Sequence, residues 1–317
     1  MRESGSDSDS AASKNSSADA LHTILVPLDG SPLAESALPM AVQIARATGG
    51  ALLLAHVISN LTWAFAAETG LTSAEAYEEL LAIENRGARE YLQRMVSSVP
   101  AEAGVRVEGT QVRGEPAPAL IDLIEELDVD LVVMTTHGYT GLRRFALGSV
   151  ADRVARSGTA PVLLLRSFEQ PQGNDQLERA LIPLDGSTLA ESALEVADQL
   201  VGMVIRQVTL LRAVTPAGAA AAEIRSAEQY LRSTSERPRT RWQARGCDVT
   251  ELVVRGQPGP CIVREAARTG ALIILATRGQ TGWTRWTLGS VADRVLEGAQ
   301  SALLLVNPRV TQTHREA

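Results

Sequence analysis

A twelve-residue segment occurs twice in this chain, and that repetition limits the fold more than any other feature. Pro27 to Leu38 reads PLDGSPLAESAL and Pro183 to Leu194 reads PLDGSTLAESAL, with eleven of the twelve positions shared. A second segment, Gly-Ser-Val-Ala-Asp-Arg-Val, starts at Gly148 and again at Gly289. The two pairs recur at spacings of 156 and 141 residues, well beyond the roughly 20–50-residue units of solenoids and propellers. The repeating unit is therefore a whole domain, and the first copy is the longer in its middle. Two such domains fit within 317 residues, each large enough for its own core. The predicted division is a tail over 1–20, a domain over 21–168, a linker over 169–178, a domain over 179–308 and a tail over 309–317. The linker falls in a polar stretch with Pro and Gly, from Ser167 to Glu178. The first tail is rich in Ser and Asp and predicts disorder.

Inside each copy, apolar runs alternate with helical patterns. The first copy predicts strands at Thr23–Leu28, Ala51–Ile58, Val105–Arg113, Leu131–Thr135 and Pro161–Arg166. The second predicts them at Ala180–Leu184, Gln207–Ala213, Val249–Arg255, Leu272–Thr277 and Ala302–Val306. Ser31 and Pro32 open a helix that runs to about Ala47, stopped by Gly49-Gly50 and kinked at Pro39. Further helices cover Thr72–Ser97, Ala117–Leu127 and the segment from Gly148. The helix after the second strand of the second copy is expected to be shorter. Continuous apolar strands separated by helices indicate an α/β fold, a parallel sheet covered on both faces. Ligands of such sheets bind beyond the carboxyl ends of the strands, where the strand order reverses.

Gly138 to Ser149, and Gly279 to Ser290, are the segments most suggestive of chemistry. Each follows an apolar strand and leads into a helix, whose unpaired N–H groups and positive dipole end suit an anion. The only lysine is Lys14, in the tail, so a lysine-dependent phosphate loop is excluded. Backbone amides and the serines would hold a phosphate instead. A second reading stays open: Ser149 with Asp152, and Ser290 with Asp293, form a capping-box pattern that would satisfy some of those amides. Asp29 and Asp185, before Gly-Ser, are either turn aspartates or acceptors for ribose hydroxyls or adenine's amine. His137 is Arg278 in the other copy, which disfavours a general-base or metal role. His56, ending a strand, reads as a satisfied core-edge histidine. Arg143, Arg144 and Arg285 could meet phosphates or lie in solvent, and Trp283 and Trp286 could pack on the other domain or line a pocket. Cys247 and Cys261 have no metal spacing and read as structural, in a reducing compartment. A net charge of −7 argues against nucleic acid as partner. No apolar run reaches the roughly 18 residues of a membrane helix, and the polar start carries no secretory signal.

These residues resemble the universal stress protein family, in tandem, from Leu21 to Val306. The family's ATP-binding motif is a glycine, two residues, a glycine, nine residues, then glycine with serine or threonine. Gly138, Gly148 and Ser149 fit its second part, as do Gly279, Gly289 and Ser290, while the first glycine is Thr135 in one copy and Ala276 in the other. The resemblance implies two doubly wound, Rossmann-like five-stranded sheets with strand order 3-2-1-4-5, packed through their fifth strands as an intramolecular pseudo-dimer. It implies nucleotide contacts at Pro27, Asp29, Val57, Met134, Thr135 and Val150 besides the glycine loop. In the second copy the counterparts are Pro183, Asp185, Ala213, Ala276 and Val291. Arg212-Ala213 departs from the family's usual His-Val, which ranks the second pocket below the first. The implied function is a cytoplasmic ATP-binding stress-response protein, a sensor or regulator with at most slow hydrolysis. Mg²⁺ or Mn²⁺ would bind through the phosphates, and a homodimer of tandem chains is expected. The alternative is a scaffold or chaperone-like stress protein with vestigial pockets and an unknown protein partner.

Overall fold

The computed structural model describes residues 21–59, 74–136, 148–166, 177–215, 221–277 and 288–307, with 74–77 in backbone only. In the first half, β1 (Thr23–Leu28), β2 (Ala51–Ile58), β3 (Val107–Arg113), β4 (Leu131–Thr136) and β5 (Val162–Arg166) lie in the order β3-β2-β1-β4-β5. In the second half, β6 (Arg179–Pro183), β7 (Gln207–Val214), β8 (Asp248–Arg255), β9 (Leu272–Ala276) and β10 (Leu303–Val306) repeat it as β8-β7-β6-β9-β10. Each half is the expected doubly wound 3-2-1-4-5 sheet. All pairs are parallel except β5 with β10, which run antiparallel in the register Leu164↔Leu303, Leu163↔Leu304, Val162↔Leu305. The halves thus close into one ten-stranded sheet, and the strand edge that could otherwise pair with another chain is used internally.

Strand alternation sends neighbouring side chains to opposite faces. Ile24, Val26 and Leu28 pack in a core with α2 (Leu38–Thr48), α3 (Ala74–Ser98) and α6 (Thr188–Leu200). Leu25, between them, packs in the other core, with α4 (Pro116–Glu126), α5 (Ser149–Ser157), α8 (Pro258–Thr269) and α9 (Ser290–Gly298). Both cores run across the junction between halves, since each draws residues from either side of β5 and β10. Two further bonds tie the junction from its ends. Asn307 Nδ2 donates to Gly158 O at 2.7 Å, and Arg166 Nη2 donates to Leu296 O.

Two local expectations need correction. The helix predicted from Ser31 to Ala47 is two helices, α1 (Pro32–Glu35) and α2. Pro39 has no N–H to donate back to Glu35, and its ring disfavours a continuous helix there. The chain instead tightens at Ser36 and Ala37, whose amides bond to Leu33 O at 3.2 Å and Ala34 O at 3.1 Å, and Pro39 falls in the first turn of α2. Nor is the helix after the second strand of the second half notably short. It is α7 (Ala221–Ala244), 24 residues against 25 in α3. The length difference between the copies lies mainly in the connections before and after that helix.

Candidate functional site

Each half has a crevice beyond the carboxyl ends of its strands, where β1 or β6 lies between neighbours whose connections leave in opposite directions. The turn after the first strand forms one wall. In the first half Gly30 has φ +84°, a conformation glycine adopts without strain. Asp29 Oδ1 accepts from Ser31 N at 2.9 Å, and Ser31 Oγ accepts from Ala34 N at 3.1 Å, capping α1. The second half repeats the arrangement. Asp185 Oδ1 accepts from Ser187 N at 3.0 Å and Ser187 Oγ at 2.5 Å, and Ser187 Oγ accepts from Ala190 N at 3.1 Å. Both aspartates therefore do serve the turn, and both also line a crevice.

The opposite wall is a helix N-terminus. Gly148 is the N-cap of α5 and Gly289 that of α9, and neither start has a side-chain cap. The capping box suggested by Ser149 and Asp152 is not formed. Ser149 lies one residue too late, inside the helix, and Asp152 turns to Arg156 Nε at 2.8 Å. Ser290 likewise lies inside α9. Among the described residues no side chain caps the first-turn amides of either helix, the condition in which a helix start receives an anion.

The two crevices differ in what they join. The second has a volume of about 360 Å³. Its wall includes Pro183, Asp185, Ala213 and Ala276 together with Gly289, Ser290 and Val291. The first has about 210 Å³. Pro27, Asp29, Val57, Met134, Thr135 and Val150 line it, but among the described residues Gly148 and Ser149 do not. Small-molecule sites typically span roughly 300–1,000 Å³, a range that includes only the second crevice. The residues explain the difference. Val57 stands where the second half has Ala213, and Thr135 where it has Ala276. Thr135 Oγ1 donates to Leu33 O at 3.1 Å, which draws α1 against β4. The ranking expected from Arg212-Ala213 is thus the reverse of the ranking by volume. Gly138 and Gly279, with His137, Arg143, Arg144, Arg278, Trp283, Arg285 and Trp286, lie outside the described residues.

His56 is held as a core-edge histidine. Its Nδ1 is 2.8 Å from Leu28 O, and its ring meets the Tyr91 ring edge-on at 5.4 Å. In the second half Arg212 takes over both contacts. Its Nη1 donates to Leu184 O at 3.2 Å, and its guanidinium lies 5.4 Å from the centre of the Tyr230 ring. Tyr230 Oη donates to Glu191 Oε1 at 2.8 Å. Burial, then the Glu191 carboxylate, pushes the Tyr230 pKa up. Tyr91 is raised by burial and by Glu35 in the same way, although its buried hydroxyl makes no hydrogen bond of good geometry among the described residues. These contacts brace the end of the first strand, beside the aspartate turn.

Sequence reasoning overlooked one wall entirely. Pro116 and Leu120 line the first crevice, and Pro258 and Ile262 the second. Pro116 and Pro258 belong to a repeated Gly-x-Pro-x-Pro segment, at Gly114–Pro118 and Gly256–Pro260, and Leu120 and Ile262 follow two residues after it. Gly114 and Gly256 take φ +146° and +142°, which turns the strand end back over the crevice. The repetition was the available signal. Among the described residues no group of three or more His, Cys, Asp or Glu could hold a metal ion, and no helix is long and apolar enough to cross a membrane. Burial pushes the Cys247 thiol up to about 11, as suits a structural cysteine.

Two doubly wound α/β units fused through antiparallel fifth strands, each with a switch-point crevice facing a bare helix start, define a tandem Rossmann-like protein. The chain belongs to the Universal stress protein family, whose model matches residues 20–166 and again 176–307. A universal stress protein of Mycolicibacterium smegmatis is 28% identical over 296 residues, covering 90% of this chain and 97% of the relative. One from Methanocaldococcus jannaschii is 32% identical over 143 residues, 45% of this chain and 81% of that protein. Among solved structures, a universal stress protein from Archaeoglobus fulgidus superposes with a TM-score of 0.68 at 20% identity, covering 90% of this chain and 98% of the other. At that identity the likeness is one of fold.

Proposed function

We propose that this chain is a cytoplasmic adenine-nucleotide-binding stress-response regulator, with ATP as its ligand and the second-half crevice as its principal site. The observation that carries this reading is the continuity of that crevice. It runs from an apolar slot at Ala213 and Ala276, past Asp185, to the uncapped start of α9 at Gly289 and Ser290. An adenine ring fits the slot, ribose hydroxyls fit the carboxylate, and phosphates fit the amides. With no lysine outside the tail, the amides and Ser290 take the role a lysine plays elsewhere. Mg²⁺ or Mn²⁺ would be held through phosphate oxygens, since no protein cluster is built for it among the described residues. No side chain is assigned as catalytic, and hydrolysis is at most slow. A homodimer of such chains would use a surface other than β5 and β10, which are paired within the chain.

The vestigial-pocket reading is favoured by one observation, confined to the first half: its crevice is small, and Gly148 and Ser149 are not among the described residues that line it. Titration calorimetry of the full chain with ATP tests both readings. One site per chain supports the assignment; no heat with ATP or AMP up to millimolar concentration would overturn it and leave the scaffold.

A further inference from the structure

The two bare helix starts are connected by one guanidinium. Arg156, in the last turn of α5, bonds through Nε to Asp152 Oδ1 at 2.8 Å and reaches through Nη2 to Asp293 Oδ1 at 3.4 Å. Asp152 lies in the first turn of α5 and Asp293 in the first turn of α9, on the other side of the domain junction. The backbone fixes both positions, since Asp152 N and Asp293 N donate to their caps, Gly148 O and Gly289 O, at 2.8 and 2.9 Å. The arrangement is not mirrored. The position in α9 that matches Arg156 is Glu297, and α9 has no basic residue in its last turn. Among the described residues a single cation, Arg156, serves both aspartates.

We propose that Arg156, a residue of the first domain, sets the phosphate affinity of the second domain's site by neutralising Asp293. This rests on the nucleotide reading above. A carboxylate in the first turn stabilises an empty helix through the dipole, but it repels an anion arriving at the same end. Asp293 would oppose the phosphates about one helical turn from Gly289. Arg156 cancels that repulsion while its own charge complements the carboxyl end of α5. The groups are partly exposed, with Arg156 at 28% and Asp293 at 42%, so solvent screens the effect and a change of a few-fold is expected. Arg156 is a positioning residue here, acting on the ligand through Asp293.

The test is calorimetry of the full chain and its Arg156→Gln variant with ATP and, separately, with adenosine. ATP affinity should fall about threefold at low ionic strength, the size of a first-turn charge effect, and the difference should shrink at about 0.5 M salt. Adenosine affinity should not change, because it carries no phosphate, whereas a merely structural role would weaken both ligands alike. Adding Asp293→Asn to Arg156→Gln should restore ATP affinity. Unchanged ATP binding by the single variant, or equal losses for ATP and adenosine, would overturn this assignment alone. Failure of the unmodified chain to bind ATP at all would overturn the nucleotide reading, and the assignment with it.

Discussion

The first domain breaks its opening helix at Pro39; the second, with Glu195 at the matching position, runs α6 unbroken from Thr188 to Leu200. The segments preceding these positions differ only at Pro32 and Thr188, which makes Pro39 the residue that best accounts for the break. The crevices teach the same lesson. Val57 against Ala213 and Thr135 against Ala276 separate the smaller crevice, lined at its helix start by Val150, from the larger one that takes in Gly289 and Ser290 as well. A few atoms at the carboxyl ends of the strands decide what a common fold can hold.

The largest test of that view bears on the helices. Glu195→Pro puts a proline in the interior of α6, where it removes an N–H and clashes with the preceding turn. The cost should be about 3 kcal/mol in urea-unfolding stability, unless α6 splits as α1 and α2 do. Pro39→Ala, in a first turn that needs no such N–H, should change stability by about 1 kcal/mol or less. Equal effects at the two positions would show that the break in the first domain has another cause.

Exchanging the crevice residues is the next test. Ala213→Val with Ala276→Thr gives the second half the walls of the first. Each small addition to an apolar pocket is worth roughly tenfold or more in affinity, so ATP binding should weaken on the order of a hundredfold by calorimetry. The reverse pair, Val57→Ala with Thr135→Ala, releases the bond to Leu33 O and should raise the stoichiometry from one ATP per chain towards two. A second site that appears without these changes would break the comparison.

The fold was legible because its signals are periodic or repeated: apolar strands at steady intervals and two copies of one aspartate turn. Much of the lining of the second crevice was legible too, since Asp185, Gly289 and Ser290 stand in conspicuous motifs and meet there. What was not legible depends on three-dimensional size. Whether Thr135 closes a pocket is decided by a bond to Leu33, about a hundred residues away in sequence. Nor does Arg212 look, in sequence, like a replacement for His56. The equivalence emerges only when both reach the carbonyl at the end of the first strand of their sheet.

The smallest expected effect concerns the two tyrosines. Tyr230 donates to Glu191 at 2.8 Å, whereas the Tyr91 hydroxyl is buried without a good hydrogen bond. Tyr230→Phe should cost about 1 kcal/mol at neutral pH, the worth of an ordinary hydrogen bond, and Tyr91→Phe should be close to neutral. Both pKa values are raised in the folded chain, first by burial and then by a glutamate. A raised phenol binds its proton more tightly folded than unfolded, so its contribution is complete below the unfolded pKa of about 10 and is lost as the pH rises above that value towards the folded one. Urea-unfolding curves between about pH 8 and pH 11 should therefore show alkaline destabilisation that each Phe variant reduces. If Tyr91→Phe costs as much as Tyr230→Phe at neutral pH, the first tyrosine is bonded in solution as the second is, and the two braces are equivalent after all.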